Sequence, residues 1–223
     1  MALGNPNHDR RSERREAIRA EILDAAWAVA REKGLAALTL TDVATRIGMR
    51  APSLYSHFAS KNAIYDAMFG QAWADYDEAD LAASENAPAA PRDRVRHRCL
   101  VFFDFAVADL ARTQLMNQRT IPDFVPSPEA FAPSVRTVER AVAELAELGV
   151  TDRGDVEILF AVIGGLAGQQ LANDPGGDSR RKLIERAADM WADGVGLLPN
   201  APKDENHDPD QGPDRAAPLG AHA

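Results

Sequence analysis

A short segment, residues 48–58, carries the side chains in this sequence that are best suited to binding another macromolecule. Arg50 and Ser53 have donors and acceptors that can hydrogen-bond to the edges of base pairs. Ala51 and Pro52 are small enough to permit a close approach, for example against a thymine methyl group. We therefore expect these four residues to contact bases, with a solvated surface arginine as the alternative interpretation of Arg50.

A second group of polar residues flanks this segment and fits contacts with phosphates, which position a protein without specifying sequence. Tyr55, His57 and Lys61 have the required donors. The start of a preceding short helix offers the hydroxyl of Thr39 or Thr41, together with backbone N–H groups. For His57 the alternative is a ring stacked on the fold, and for Tyr55 we expect a packed ring with a free hydroxyl.

Two short helices and the turn between them must position these residues. Thr39 is a good N-cap. Asp42, three residues later, can complete the capping box with it and can also interact favourably with the helix dipole. Gly48 ends this first helix, and the second helix, over residues 51–56, has Pro52 in its first turn, where a missing N–H costs little. A short capped helix, a glycine turn and another short helix make a helix-turn-helix, whose second helix can enter the major groove of DNA.

Charge is unevenly distributed along the chain, and DNA affinity depends on a local basic face rather than on the total. The net charge is −9, but residues 1–62 contain ten Lys and Arg against seven Asp and Glu, a net of +3. Residues 63–223 contain fifteen against twenty-seven, a net of −12. Residues 1–14 are predicted to be a flexible basic arm, which is either a solvated leader or reaches phosphates or the minor groove. Four arginines lie in the arm or directly after it: Arg10, Arg11, Arg14 and Arg15.

Helical spacing of apolar residues continues through the rest of the chain, and no alternating run of β-branched residues indicates a strand. The sequence therefore predicts an all-α protein. Beyond the two short helices, helices are predicted over residues 12–33, 61–81, 93–111, 113–119, 134–148, 152–173 and 179–197. Proline-containing connections are expected over residues 84–91 and 121–133, and residues 199–223 are expected to form a disordered acidic tail.

The later helices carry side chains that could line an apolar ligand pocket, although ordinary core packing is the alternative for each of them. The pocket candidates are Phe102, Phe103, Phe105, Met116, Phe124, Phe131, Phe160 and Gln169. The polar residues closest to this role also include His97, Gln114 and Asn117. Small residues in the 152–173 helix permit close helix contact, either inside the core or across a two-fold dimer. The dimer-interface candidates are Gly164, Gly165, Gly168, Trp191 and Val195.

Several function classes lack their motifs in this sequence. There is no G-x-S-x-G, P-loop, dinucleotide fingerprint or H-E-x-x-H, and the five histidines show no metal-ligand spacing, so we expect no enzyme, cofactor or metal site. The single cysteine, Cys99, is interpreted as a small apolar core residue and fits a reducing cytosol. The uncharged run over residues 158–173 falls short of the ~20 apolar residues of a membrane span. We expect a buried helix there, no signal peptide, and a soluble cytoplasmic protein.

The segment from about Arg15 to Phe69 resembles the TetR family of bacterial transcriptional regulators. Its most specific feature is an L-Y-x-H-F run followed by a nearby lysine. The resemblance covers roughly a quarter of the chain, and the remainder agrees only in length and helical layout. The residues that carry it are Gly34, Leu38-Thr39, Val43-Ala44, Ile47-Gly48, Ala51-Pro52-Ser53-Leu54-Tyr55-Ser56-His57-Phe58 and Lys61.

The resemblance implies an Ω-shaped homodimer of all-helical subunits. Residues 15–75 would form a three-helix DNA-binding head, and residues 76–198 a larger bundle for ligand binding and dimerisation. It further implies a palindromic operator in double-stranded DNA and release by an apolar small-molecule effector. The alternatives are a protein of the same fold that binds ligands or partners without regulating DNA, and an activator.

One position departs from the family pattern. Where the family often has a serine or threonine before the recognition helix, this chain has Arg50. The change removes a helix N-cap, typically worth about 1 kcal/mol. It also places a guanidinium where it can pair with guanine or with a phosphate.

Overall fold

The structure, a computed structural model, describes residues 6–198 and is all-helical over that range, which confirms the predicted fold class. The expected tail over residues 199–223 lies outside the described residues. A 3-10 turn, Arg181–Leu183, precedes the last helix. The α-helices are α1 Pro6–Lys33, α2 Leu40–Arg46, α3 Ala51–Leu54, α4 Lys61–Ser84, α5 Pro91–Val107, α6 Leu110–Asn117, α7 Pro128–Glu147, α8 Arg153–Asn173 and α9 Ile184–Gly194.

Helix α1 begins earlier than the sequence pattern predicts. It starts at Pro6 rather than near residue 12, so residues 6–14 of the expected flexible arm are helical. Proline is favourable in a first turn, and the following Arg- and Glu-rich stretch consists largely of good helix formers. The Ser12 hydroxyl also donates to the Glu16 carboxylate one turn later, at 3.4 Å.

The first hydrophobic core joins α1, α2 and α3 to the N-terminal half of α4. Ile22, Val43, Leu54 and Ile64 are almost completely buried in it, one from each of these four helices. Gly34 and Gly48 end α1 and α2 with φ angles of +86° and +66°, a left-handed conformation that favours glycine. This core and the two glycine turns build the head that carries the helix-turn-helix.

The second core lies between α5, α8 and α9, with Phe103, Leu159 and Ile184 almost completely buried. The two cores are adjacent, because Phe102 of α5 packs against both. Helix α4 runs without a break through the predicted boundary between residues 75 and 76. The head and the bundle therefore share one continuous helix.

Helix α7 also begins before its predicted start near Ser134. The Ser127 hydroxyl caps it by accepting the N–H of Ala130 at 3.2 Å, and a proline follows in the first turn. The same serine donates its N–H and its hydroxyl to Asp66 of α4, at 2.6 and 2.8 Å. The last part of the predicted proline-rich loop over residues 121–133 is thus the first turn of α7, and hydrogen bonds attach it to α4.

Helix α8 differs from the expected buried helix. Within residues 6–198 it is the one helix long and apolar enough to cross a membrane, with a mean hydropathy of 1.2, yet only 28% of that window is buried. One face packs into the second core through residues such as Leu159 and Ile163. Ile158 and Val162 remain 56% and 41% exposed, which leaves an apolar face uncovered within one subunit.

Candidate nucleic-acid interface and internal cavity

The cap of α2 is formed as predicted. The Thr39 hydroxyl accepts the N–H of Asp42 at 3.1 Å and donates to its carboxylate at 2.8 Å. Lys33 bonds the other carboxylate oxygen at 2.7 Å. This hydrogen bond is the main reason that the pKa of Asp42 lies below its ordinary value. Thr39 and Thr41 are both exposed, and the Thr39 hydroxyl is already engaged in the cap.

The recognition helix, α3, is shorter than predicted. It covers four residues, Ala51–Leu54, and the chain then continues in tight turns in which the N–H groups of Tyr55 and His57 bond the carbonyls three residues back. Arg50 occupies the N-cap position and makes no capping hydrogen bond with its side chain, as its residue type predicts. The guanidinium is consequently available at the exposed start of the helix.

Three of the four predicted base-contacting residues lie on the solvent side of α3, whereas Ala51 packs against the first core and Leu54 is 99% buried in it. Arg50, Pro52 and Ser53 are exposed, and Ala51 is half-buried. Arg50, Pro52 and Ser53 therefore lie at the surface of a helix that is anchored to the first core by Leu54.

The predicted phosphate-contacting residues have more varied surroundings. Tyr55 is 57% exposed, so its ring is not packed as expected. His57 is half-buried, and its Nδ1 is buried without a hydrogen-bond partner among the described residues. Its carbonyl accepts a hydrogen bond from Arg19, whose guanidinium lies 4.1 Å from the centre of the Phe58 ring. The Nζ atom of Lys61 lies 5.3 Å from the centre of the Tyr65 ring.

A cavity of about 400 Å³ lies between α4, α5, α6, α7 and α8. This volume is within the range of small-molecule sites, which are mostly apolar with a few polar groups. Its aromatic walls are Trp73, Tyr76, Phe102 and Phe160, and the indole N–H of Trp73 is buried without a partner among the described residues. Gly164 and Gly168 of α8, predicted for a dimer interface, form part of the cavity wall.

Of the eight predicted pocket residues, Phe102 and Phe160 line this cavity. The other six lie in the two cores, near the head or at the surface. Phe103 is buried in the second core, and Met116 in the first. Phe105 packs on the first core beside Tyr76, with ring centres 5.0 Å apart.

The remaining three predicted pocket residues lie near the head or at the surface. Phe124 contacts Tyr65, with ring centres 5.7 Å apart, and Phe131 stacks on Phe69 at 5.9 Å while staying 48% exposed. Gln169 is exposed and accepts a hydrogen bond from Arg180 at 3.1 Å. Of the polar candidates, Asn117 lines the cavity, whereas His97 contacts the carbonyl of Ala83.

Sequence reasoning missed the charged group on the cavity wall. Arg98 lines the cavity and pairs with Asp80 of α4 and Glu144 of α7. Arg140 of α7 pairs with the same Asp80 and with Asp77. The sequence signal that could have revealed this group is a charged residue on an otherwise apolar helix face. Asp80 is such a residue and is 98% buried. A buried carboxylate of this kind requires nearby cations.

The predicted dimer residues are likewise divided between interior and surface. Trp191 is 93% buried in the second core, and its indole N–H donates to the carbonyl of Asp155 at 2.7 Å. Its side chain therefore packs within the subunit and offers little surface to a second copy. Gly165 lies on the exposed face of α8, and Val195 is half-buried at the end of α9.

Comparisons with known proteins agree with this architecture. Residues 22–68 match the model of the bacterial regulatory proteins of the tetR family. A TetR-family transcriptional regulator from Bordetella parapertussis has a similar structure, with 21% identity, a TM-score of 0.60, and 82% of this chain and 98% of that chain covered. The fatty acid degradation regulator FadR from Bacillus halodurans is similar at 15% identity and a TM-score of 0.63, covering 78% and 93%. No curated protein sequence matches the chain.

The fold is therefore all-helical, with a helix-turn-helix head joined to a helical bundle, as in the solved TetR-family structure. Over residues 22–68, the family model confirms the resemblance to the tetR family of bacterial regulatory proteins that the sequence predicts. Within residues 6–198, no group of three or more His, Cys, Asp or Glu side chains is arranged to hold a metal ion.

Proposed function

We propose that this protein is a homodimeric repressor that binds a palindromic operator and is released from it by a small molecule in the internal cavity. Two copies of α3 would enter successive major grooves, about 34–36 Å apart. Arg50 and Ser53 would hydrogen-bond to base edges, with Ala51 and Pro52 allowing the close approach. The phosphate contacts would come from Thr39, Thr41, Tyr55, His57 and Lys61.

The observation that carries this proposal is the sharing of α4 between the two sites. The Ser60 hydroxyl caps α4 directly after the recognition segment, accepting the N–H of Ala63 at 3.1 Å. Three turns later, Trp73 and Tyr76 of the same helix line the cavity. A ligand with different affinities for two positions of α4 shifts the equilibrium between them. Release follows when the favoured position spaces the two heads wrongly for the operator.

The exposed apolar face of α8 supports the homodimer. Ile158, Val162 and Gly165 follow one another at helical spacing on this face, and Met190 of the neighbouring α9 is 65% exposed. Exposed apolar patches of this kind mark association surfaces. We assign the patch to a second copy of the chain rather than to a membrane, because the glycine permits close helix contact and α9 extends the surface beyond α8.

The decisive experiment is selection of binding sites from fragmented genomic DNA with the purified protein, at about 0.15 M salt. We expect an enriched palindrome whose half-sites are one helical turn apart. The matched control is Arg50→Ala combined with Ser53→Ala, which leaves the buried support of α3 intact and should lose the enrichment. Absence of enrichment for the wild-type protein would contradict the proposal and favour a ligand-binding or interaction protein of the same fold.

Two further measurements test the rest of the proposal. Transcription in vitro from an enriched site distinguishes repression from activation, and repression is expected. Light scattering should give twice the mass of one chain, and Met190→Glu should shift that mass towards the monomer. We expect this regulator to work in the cytoplasm, in keeping with its single, buried thiol, Cys99.

A further inference from the structure

The cavity wall contains one charged side chain among its described residues, and that charge is neutralised. Arg98 lies 3.1 Å from Asp80 through Nη1 and 3.1 Å from Glu144 through Nε, with a second, shorter bond to Glu144. Its side chain is only 10% exposed, and that of Asp80 is 3% exposed. Two carboxylates from two different helices thus hold a guanidinium that borders the cavity.

In the part of the chain that the structure describes, the surroundings of this group leave no positive charge without a carboxylate partner. Both oxygens of Asp80 are engaged, because Arg140 bonds the second at 3.1 Å while also pairing with Asp77. The three carboxylates face two guanidinium groups, Arg98 and Arg140, with Arg136 at the solvent-exposed edge of Asp77. A carboxylate entering the cavity would have to displace Glu144 from Arg98 or remain without a cation, and an unpaired buried charge is costly.

The other polar groups of the inner wall are neutral. Burial raises the pKa of the Cys99 thiol to about 12 and raises the pKa of the Tyr76 hydroxyl above its ordinary value, so both keep their protons at neutral pH. The hydroxyl of Thr113 donates to the carbonyl of Ala106 at 2.6 Å. The inner wall therefore offers an apolar surface without a charge for an ionised ligand.

Uncharged hydrogen-bonding capacity lies at two places on the wall, the indole N–H of Trp73 and the end of α6. Asn117 and Gln118 both line the cavity and are exposed. Asn117 donates one bond to the carbonyl of Thr113 at 3.2 Å, and an amide side chain has two donors and an acceptor carbonyl in total. A neutral polar end group on a ligand would find its partners here.

We propose that the cavity selects a neutral ligand, with an apolar body against Phe102 and Phe160 and an uncharged polar end at Asn117 and Gln118. Glu144 and Asp80 exclude carboxylate ligands because they occupy Arg98. This inference rests on the proposed function, in which the cavity is the effector site, and it adds the chemical class of the effector.

Three naphthalene probes of nearly equal size, substituted at the same ring position, test this class by calorimetry on the full chain. They are the methyl ketone, the isopropyl hydrocarbon and the carboxylate. The ketone should bind most tightly and the carboxylate least tightly. This order is measured on the wild-type protein and does not depend on the folding of any variant. A carboxylate that binds most tightly would overturn the inference and leave the effector site standing.

The role of the amide is tested by Asn117→Ala. This variant should remove the advantage of the ketone over the hydrocarbon, roughly two- to tenfold for one neutral hydrogen bond. Asn173→Ala is the matched control, because Asn173 makes the same type of bond to the carbonyl four residues back, at 3.0 Å, and does not line the cavity. An unchanged ratio in Asn117→Ala, or an equal loss in the control, would remove Asn117 from the site.

The role of the carboxylate is tested by Glu144→Gln, which leaves Arg98 with one anionic partner. Binding of the naphthalene carboxylate should then rise at least severalfold, whereas Glu147→Gln, at an exposed position of the same helix, should leave it unchanged. No gain in Glu144→Gln would overturn the exclusion argument. Failure of all three probes on the wild-type protein would overturn the inference together with the effector part of the proposed function. The genomic selection would still test operator binding separately.

Discussion

Arg31 and Asp109 form the ion pair that joins the head to the wall of the cavity. The Nε and Nη2 atoms of Arg31, in the last turns of α1, lie 2.8 and 2.7 Å from one oxygen of Asp109. The other oxygen accepts the N–H of Arg112 at 3.1 Å and caps α6. Because α6 carries Thr113 and Asn117 on the cavity wall, one carboxylate connects the helix-turn-helix head to a helix that touches the cavity.

The two bonds of Asp109 should differ in their contribution to stability. Asp109→Ala removes the cap together with the Arg31 pair and should lower the free energy of unfolding by about 1–1.5 kcal/mol. Arg31→Gln removes only a surface pair, in which the arginine is 53% exposed, and should cost less than about 0.5 kcal/mol. Urea denaturation measures both, with Asp109→Asn as the control that retains a capping oxygen. Equal losses for the alanine and asparagine variants would contradict the capping role.

Arg50 is expected to read bases. Arg50→Ala should weaken operator binding by about 1–3 kcal/mol and relax the preference at specific base pairs, because a bidentate arginine–guanine contact discriminates by that amount. Competition binding with single-base-pair operator variants measures the change. Arg119→Ala, at an exposed position far along the chain from the helix-turn-helix, is the control. A uniform loss on all sequences would instead identify Arg50 as a phosphate contact.

Lys61 is expected to contact a phosphate. Its replacement by Gln should reduce the slope of log affinity against log salt by about one unit, because each neutralised phosphate releases counterions. The slope is measured from operator titrations at several salt concentrations. Lys182→Gln serves as the control, since Lys182 pairs with Asp178 at 2.8 Å in the bundle. If Lys61→Gln leaves the slope unaltered, the lysine serves the fold through the Tyr65 ring.

Asp77 should make the protein sensitive to acid. Burial acts to raise the pKa of this carboxyl, but hydrogen bonds from Arg140 and Thr137 outweigh it, and the pKa lies below the ordinary value of 3.8. A lowered pKa in the folded state gives stability that is present above the unfolded value and is lost as pH falls through the folded value.

The wild-type protein should therefore exceed Asp77→Asn in free energy of unfolding at neutral pH, and the two should converge below a pH of about 3.8. Chemical denaturation across a pH series measures this difference. Glu139→Gln, at an exposed position of α7, is the control and should show no such convergence. A difference that stays constant down to the lowest pH would mean that Asp77 acts through packing and not through its charge.

Local chemistry made the head predictable from the sequence. The cap at Thr39, the turns at Gly34 and Gly48 and the burial of Leu54 depend on residues within a few positions of each other, so their patterns determine the structure. The start of α7 was missed for the opposite reason. Its cap, Ser127, is held by Asp66, 61 residues earlier in the chain.

The cavity could not be assigned from local patterns because it depends on how distant helices pack. Phe102 and Phe103 are adjacent in sequence and equally apolar, yet one lines the cavity and the other fills the second core. Successive residues of a helix point about 100° apart, and only the neighbouring helices decide which direction is filled. The same holds for Phe131, which stacks on Phe69 at the surface.

The early start of α1 limits how its first arginines could contact DNA in the proposed complex. The stretch bearing Arg10, Arg11, Arg14 and Arg15 belongs to a rod that is about 10–12 Å across with its side chains, whereas the minor groove is about 6 Å wide. In the proposed complex with DNA, a rod of this width would lie across the minor groove instead of entering it. Its guanidinium groups would then contact the two sugar–phosphate backbones and add affinity that does not depend on base sequence. Discrimination between base sequences would be left to the short segment after Gly48.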